Sequence, residues 1–434
     1  MLSKVSKFVF LLVLLLSNGL SKADDNFQDI MYRTIVYFYP SSHVVNNKAL
    51  EKYKREIERH NISTTNTNKA SITMQLVSDI QAPDIEYLSY YGRGIIKKQA
   101  EDLQGTKLAL IIDSTYSMDM QTDGLKLSDQ IAYDIAKSYD GALWDTETRE
   151  LFTPAAWENK RLSAWENDTP IVEKHIVIHA YKNNEYVRAI TLGMAKFGMP
   201  DIVVNDFSWS LNRSVESLIV LVSQSIVEGS RLSEDSSIEI SIDSLAETNY
   251  KKTLKSSLID NARSDVDVLI GDAKWEEGDP DNYLIEILFD NVTGESVQIR
   301  QEVLLSSIFG WEDKVSYVKH NQLIEDASMR AKSKLKGLKS DFNLGLEPGE
   351  FIQVKAPFTT PDDGVEWMWV EVMEWNGGRI KGLLKNQPKY IPELKGGSVV
   401  TVKESEIFDY FRIYPDGSSE GNETGELILK YRSL

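Results

Sequence analysis

Along this chain the spacing of apolar positions switches repeatedly between a period of two and a helical period, and each switch predicts an element. Strands are expected at Arg33–Tyr39 (RTIVYFY), Ser71–Val77 (SITMQLV), Leu108–Asp113 (LALIID) and Gly141–Trp144. Between them Lys48–His60 reads as a charged helix, Arg93–Leu103 as a second helix and Lys126–Tyr139 as an amphipathic one. His175–Tyr181 and Tyr186–Leu192 flank Lys182-Asn183-Asn184-Glu185, a hairpin connection, and Ser214–Val227 is a strongly apolar helix. Strands alternating with helices over residues 24–230 predict a layered α/β domain with some antiparallel pairing.

From 231 to 264 the chain turns polar and is expected to be a linker carrying one short strand, Ile238–Ile242. Residues 265–344 then read as a middle α+β segment, with strands near Val266–Lys274 and Tyr283–Phe289 and helices near Ser296–Phe309 and Gln322–Lys339. The last helix carries Arg330, Lys332, Lys334, Lys336 and Lys339, a basic run expected to be solvated or docked on an acidic neighbour. In 345–434 the signals are those of a β module. Asn376-Gly377 supplies the positive φ of a tight turn, so Glu366–Trp375 and Arg379–Leu384 should pair. Lys395-Gly396-Gly397 makes a further turn into Ser398–Val402. Trp367, Trp369, Glu371, Met373 and Trp375 form one alternate set of the hairpin strand, and Glu366, Met368, Val370, Val372 and Glu374 the other. Both sets are apolar at the centre, which predicts cover on both sides, as in a small closed barrel. The expected fold is therefore α+β: an N-terminal layered α/β domain, then a C-terminal unit ending in a small SH3-like β-barrel-type module.

Composition sets the compartment and removes several chemistries. Lys4 and Lys7 precede the apolar run Phe8–Leu16, and Ser21-Lys22-Ala23 offers small residues at a cut site. The run is too short to span a bilayer, so residues 1–23 are expected to be a signal peptide cleaved after Ala23, placing the protein in the periplasm or outside the cell. There is no Cys, which excludes disulfides, thiol catalysis and Cys-based metal sites. A formal charge of −18 argues against nucleic acid as a partner, and no membrane insertion is expected after signal cleavage.

The short motifs each favour a bland origin. Asp113-Ser114-Thr115-Tyr116-Ser117 imitates a hydroxyl-and-carboxylate Mg²⁺ loop, but Tyr116 stands where a small residue belongs. His175 and His179 on one strand would lie about 13 Å apart, too far to share an ion. Asp416-Gly417-Ser418-Ser419-Glu420-Gly421 opens like a calcium loop, yet Leu427 occupies the place of the closing Glu. No phosphate loop, nucleophile elbow or zinc-protease motif occurs, and no metal or cofactor is expected.

Gly349-Glu350, Val354-Lys355-Ala356-Pro357-Phe358, Glu366-Trp367-Met368-Trp369-Val370, Gly382-Leu383-Leu384, Asn386, Pro388, Asp409-Tyr410 and the run from Asp416 to Gly425 together resemble the bacterial domain of unknown function DUF2314. The resemblance covers about 345–430. Upstream, Gly193-Met194-Ala195-Lys196-Phe197-Gly198, Pro200-Asp201 and Gly271-Asp272 with Gly278-Asp279-Pro280 and Asn282 look like the long form of these proteins. The resemblance names a family and carries no activity.

Three of the nine Trp lie between Trp367 and Trp375, and they suggest an aromatic-lined groove for a peptide or protein partner. Lys355, Glu366 and Asn386 are polar positions within apolar or turn-forming stretches, and a polar group among core residues needs a partner. Lys355 and Glu366 are expected to meet across neighbouring strands at the mouth of the module, with Asn386 holding the Pro388 turn. The leading expectation is thus an exported binding or interaction protein; the alternative is a cell-envelope hydrolase using carboxylates as acid and base. Pairs such as Asp272/Glu276 and Asp279/Asp281 are too common in this acidic chain to nominate a catalytic dyad.

Overall fold

A computed structural model describes residues 29–41, 45–62, 70–183, 186–258, 262–309, 322–347, 349–361, 364–388 and 390–432. The expected signal peptide lies outside the described residues, as does part of the connection Lys182–Glu185. No helix among the described residues is long and apolar enough to cross a membrane.

The first sheet is built from β1 (Ile30–Phe38), β2 (Ala70–Ser78), β3 (Gly92–Arg93), β4 (Leu108–Tyr116), β5 (Gly141–Asp145) and β6 (Glu150–Phe152), in the order β2-β4-β1-β5-β6-β3. The helices Asn47–Ile62 and Gln121–Tyr139 cover one face, where Leu50, Tyr53, Ile131 and Ile135 meet Val36, Leu110, Ile112 and Leu143. Leu88 and Leu103, from two shorter helices, cover the other against Tyr37, Ala109 and Leu151. The layering is as the alternation predicted. The pairing is more antiparallel than expected, because β1 runs antiparallel to both neighbours, β4 and β5, and only β3 pairs parallel, with β6.

A ribbon of β7 (Trp165–Glu166) and β8 (Thr169–Pro170) leads to the second sheet. This comprises β9 (Val177–Asn183), β10 (Tyr186–Leu192), β11 (Asp201–Phe207), β12 (Ser237–Ser241), β13 (Asp265–Asp272) and β14 (Leu284–Leu288), ordered β12-β13-β14-β11-β10-β9. The expected hairpin is β9 against β10. The stretch 231–264, expected as a linker, supplies β12 and the helix Asn249–Ser257, so the sheet runs straight across it. Its apolar layer is sealed by Leu218, Ile219 and Leu221 of the helix Asn212–Val227 and by Leu304, Leu305 and Ile308 of the helix Val297–Phe309.

The third sheet contains β15 (Phe351–Thr359), β16 (Val365–Asn376), β17 (Arg379–Leu384), β18 (Val399–Lys403), β19 (Asp409–Ile413) and β20 (Ser419–Gly421), ordered β18-β17-β16-β15-β19-β20. The expected strands pair, but the turn lies one residue later than Asn376-Gly377: it is Gly377-Gly378, with φ of 54° and 75°, because Asn376 is paired with Arg379. β18 and β20 are opposite edges, so the sheet is open and the expected closed barrel does not form. The apolar faces of β16 have another explanation. Ala331, Leu335 and Leu338 of the long helix Gln322–Leu344 cover Val354, Met368 and Val370 on one face. On the other face Glu371 is buried against Ser208 of the second unit. Part of the basic run on the long helix docks on acidic residues of this module: Arg330 on Glu423, Lys334 on Glu420 and Lys339 on Glu404.

Candidate functional site

The register of β15, β16 and β19 decides which side chains share a face. Lys355 stands opposite Trp369 on one side and Asp409 on the other, while Gln353 stands opposite Glu371 and Phe411. Gln353, Lys355, Trp367, Trp369 and Phe411 therefore share one side of the sheet by register, and all five are half-buried, Trp367 packing at its end against Phe408 and Ile324 of the long helix. Lys355 Nζ lies 5.6 Å from the centre of the Trp369 ring, and Phe411 meets that ring edge-on at 6.4 Å. Burial pushes the Lys355 ammonium below the usual lysine range, with Asp409 pulling the other way.

Asp409 is itself committed. Its carboxylate accepts from Thr424 N at 2.9 Å, from Thr424 Oγ1 at 2.6 Å and from Tyr410 N at 2.8 Å. It thus caps the helix Glu423–Arg432, a tertiary version of an N-cap that accounts for the Asp409 and Thr424 motifs by folding alone. Among the described residues Lys355 has no ion pair, so a desolvated cation is left beside an aromatic wall.

Of the six residues singled out in the sequence, Lys355 and Trp369 meet. Trp367 shares their face further along, against Phe408 at 4.7 Å. The expected Lys355–Glu366 pair does not form. Their positions have opposite parity across an unbroken register, so they sit on opposite faces, and Glu366 Oε2 accepts from Tyr390 N at 3.1 Å. Asn386 Oδ1 accepts from Trp369 N at 2.6 Å, so it pins the strand under the Trp rather than lining a groove. Trp375 is fully buried, its Nε1–H donating to Glu404 at 2.9 Å. A register shift between Val372 and Glu374 is the cause: it flips the alternation, so that Trp375 joins Ile380 in the core while Trp367 and Trp369 stay outside. Gln353 and Phe411 were missed; the alternation of Phe351–Thr359 could have given Gln353.

A second cluster, also missed, lies where the first two sheets meet. Asp145 Oδ2 accepts from Arg161 Nη2 at 2.7 Å and from Lys196 Nζ at 2.7 Å, with all three side chains enclosed. Burial alone would raise the Asp145 carboxyl, but Lys196 and Arg161 outweigh it and hold the group well below the carboxylate range. Asp129, also enclosed, is pushed up to about 7 by burial despite Lys196 and Arg161. Half-buried Glu147 rises to about 7, again by burial first and then by Asp145. Asp201 rises to about 6; it binds Thr191 Oγ1 at 2.7 Å and Asn282 Nδ2 at 2.8 Å. Lys196 and Asp201 come from one of the long-form motifs and Asn282 from the other. Their convergence is a structural joint, since Asp129, Asp145, Arg161 and Lys196 are all closed to solvent. The one legible signal was a lysine inside the apolar stretch Met194–Phe197. The two histidines do not share the expected strand: only His179 is on one, while His175 ends the helical turn Val172–His175, edge-on to Trp165 and Phe197.

Residues 321–429 match the family model DUF2314, an uncharacterized protein conserved in bacteria. The match includes the long helix, which the third sheet needs to close its core; the two upstream motifs lie outside it. No curated protein and no solved structure matches the chain.

Proposed function

We propose that this is an exported binding protein whose C-terminal module holds an extended ligand, a peptide segment carrying a carboxylate, against the outer face of the third sheet. The observation that carries the reading is Lys355: half-buried, without an ion pair among the described residues, and lying against Trp369, whose ring Phe411 meets edge-on. A partly dehydrated ammonium is costly until an anion or an aromatic face compensates it, so a carboxylate placed there gains more than it would at an open surface. Trp369 offers a flat apolar wall to the neighbouring residue of the ligand, and Asn386 keeps that strand fixed.

The order of charge, apolar core and small residues at 1–23 supports export. The hydrolase alternative gains nothing from the acidic pairs, because Asp279 is bound to buried Arg188 at 2.7 Å and Glu276 lies 3.6 Å from the same guanidinium.

The test is calorimetric titration of the full chain with a panel of acidic and neutral extended peptides. Acidic peptides should bind, Lys355→Met and Trp369→Leu should each reduce affinity at least about tenfold, and Lys355→Arg should retain part of it, given what one charge-assisted contact contributes. Equal affinity of wild type and Lys355→Met for every peptide would sink the reading. Export is checked separately, by mass spectrometry of the protein recovered from the periplasm of a bacterial host. A new N-terminus after Ala23 is expected.

A further inference from the structure

The outermost strands of the three six-stranded sheets are β2, β3, β9, β12, β18 and β20. An open row of backbone N–H and C=O groups recruits other strands, and proteins blunt such edges by shortness, charge, Pro or a bulge. β3 and β20 are short, while β9 carries Lys182, β12 carries Glu239 and β18 carries Lys403. β2 has none of these protections. It is nine residues long, reads ASITMQLVS without charge or Pro, and its register on β4 is unbroken from Ala70↔Tyr116 to Ser78↔Leu108. Among the described residues nothing pairs with its outer side.

The central side chains of β2, Ile72 to Leu76, are symmetric in polarity about Met74. Ile72, Met74 and Leu76 turn toward the helix Asn47–Ile62, whereas Thr73 and Gln75 are exposed on the other face. Antiparallel pairing of two β2 strands about a two-fold axis at Met74 sets Ile72 against Leu76 and Thr73 against Gln75, so apolar meets apolar and polar meets polar over the central five residues, with Ser71 opposite Val77 beyond them. Beside the strand runs a groove of about 250 Å³ between Ile72 and Met74 and the helix residues Lys54, Ile57 and Glu58. The rim of this groove carries one charge of each sign, Lys54 and Glu58, with Lys54 bonded to Glu51 of its own helix at 3.0 Å.

We infer that the chain forms a two-fold homodimer through β2, joining the first sheets of two copies into one continuous sheet. The second copy is the occupant because the alternation of this uncharged edge is self-complementary from Ile72 to Leu76. Light scattering of the full chain at micromolar concentration should give twice the chain mass. Thr73→Lys combined with Gln75→Lys sets like charges in direct opposition from exposed positions, and should give a folded monomer by circular dichroism. Thr73→Glu with Gln75→Glu should do the same, and mixing the two double variants should restore the dimer. Because the chain has no Cys, Met74→Cys gives a second readout: opposed residues in an antiparallel pair are close enough for a disulfide, so mild oxidation should yield a covalent dimer. A monomeric wild type would overturn the inference. A lysine double variant that stays dimeric would place the contact elsewhere and overturn it equally, as would Met74→Cys failing to cross-link in a dimeric sample.

Discussion

Asp129 and Asp145 sit in the same enclosed cluster and are driven in opposite directions. Asp145 has two cations at bonding distance, while among the described residues the carboxylate of Asp129 accepts only from the hydroxyl of Tyr32, at 3.4 Å. An unfolded aspartate titrates near pH 4. Between about pH 4 and about 7 the native Asp129 therefore keeps a proton that the unfolded chain has released, so its contribution to stability falls as pH rises through that window. Asp145 has the opposite sign: its contribution is present above the unfolded value and is lost only on acidification below it. Asp129→Asn, permanently neutral, should flatten the decline in melting temperature between pH 4 and 7, leaving the part due to Glu147 and Asp201. Parallel melting curves for variant and wild type would refute the assignment. Lys355 gives a second pH signature at this scale. Its ammonium is pushed below the usual lysine range, so peptide affinity should decline at a lower alkaline pH than an exposed lysine would cause.

At the scale of elements, period and turn chemistry were legible wherever local sequence decides the backbone. The hairpin at Gly377-Gly378, the strand pair β9/β10 and the apolar helix Asn212–Val227 are of this kind. What escaped was decided by single-residue irregularities and by partners far away in sequence. One register shift near Met373 splits three Trp that share an alternate set, and nothing in the strand's own composition marks it. The strand expected to end at Asp113 continues to Tyr116, where Ser114 finds Ser128 at 2.7 Å and Asp113 finds Arg33 at 2.6 Å. Two glycines test the same distinction. A Cβ at Gly382 would stand 2.0 Å from the Glu371 carbonyl oxygen across the β16/β17 ladder, so Gly382→Ala should cost about 3 kcal/mol or more by overpacking. Gly337 lies exposed inside the long helix with nothing within 4 Å of such a Cβ, and Gly337→Ala should gain about 0.5–1 kcal/mol. Urea denaturation of the two variants should move the midpoint in opposite directions.

For the whole molecule, the sequence divided the chain at 231–264 because that stretch is polar, but polarity reports solvent contact and not independence. β12 is buried on one side at Ile238 and Ile240 and exposed at Glu239, the pattern of an outer strand, which a linker reading cannot separate from a loop. The contact between the second and third sheets was equally hidden, since it depends on residues more than eighty positions apart. Lys385 is its centre: Nζ reaches Glu302 at 2.6 Å, Ser208 Oγ at 3.0 Å and Glu371 at 3.9 Å, and its side chain and those of both acids are largely closed to water. Tyr186 OH to Gly397 O at 2.8 Å and Trp209 Nε1 to Glu350 O at 3.0 Å flank it. Removing one member of a buried ionic set leaves the others desolvated without their counter-charge, at a cost of about 3–5 kcal/mol. Lys385→Met should lower stability by that amount, whereas Lys385→Met with Glu302→Leu should recover part of it, because one uncompensated charge is gone. If the contact couples the two units, limited proteolysis of Lys385→Met should release the C-terminal module at a denaturant concentration that leaves the wild type intact. An unchanged midpoint and an unchanged cleavage pattern would show that the units are held together by the flanking hydrogen bonds and apolar contacts instead.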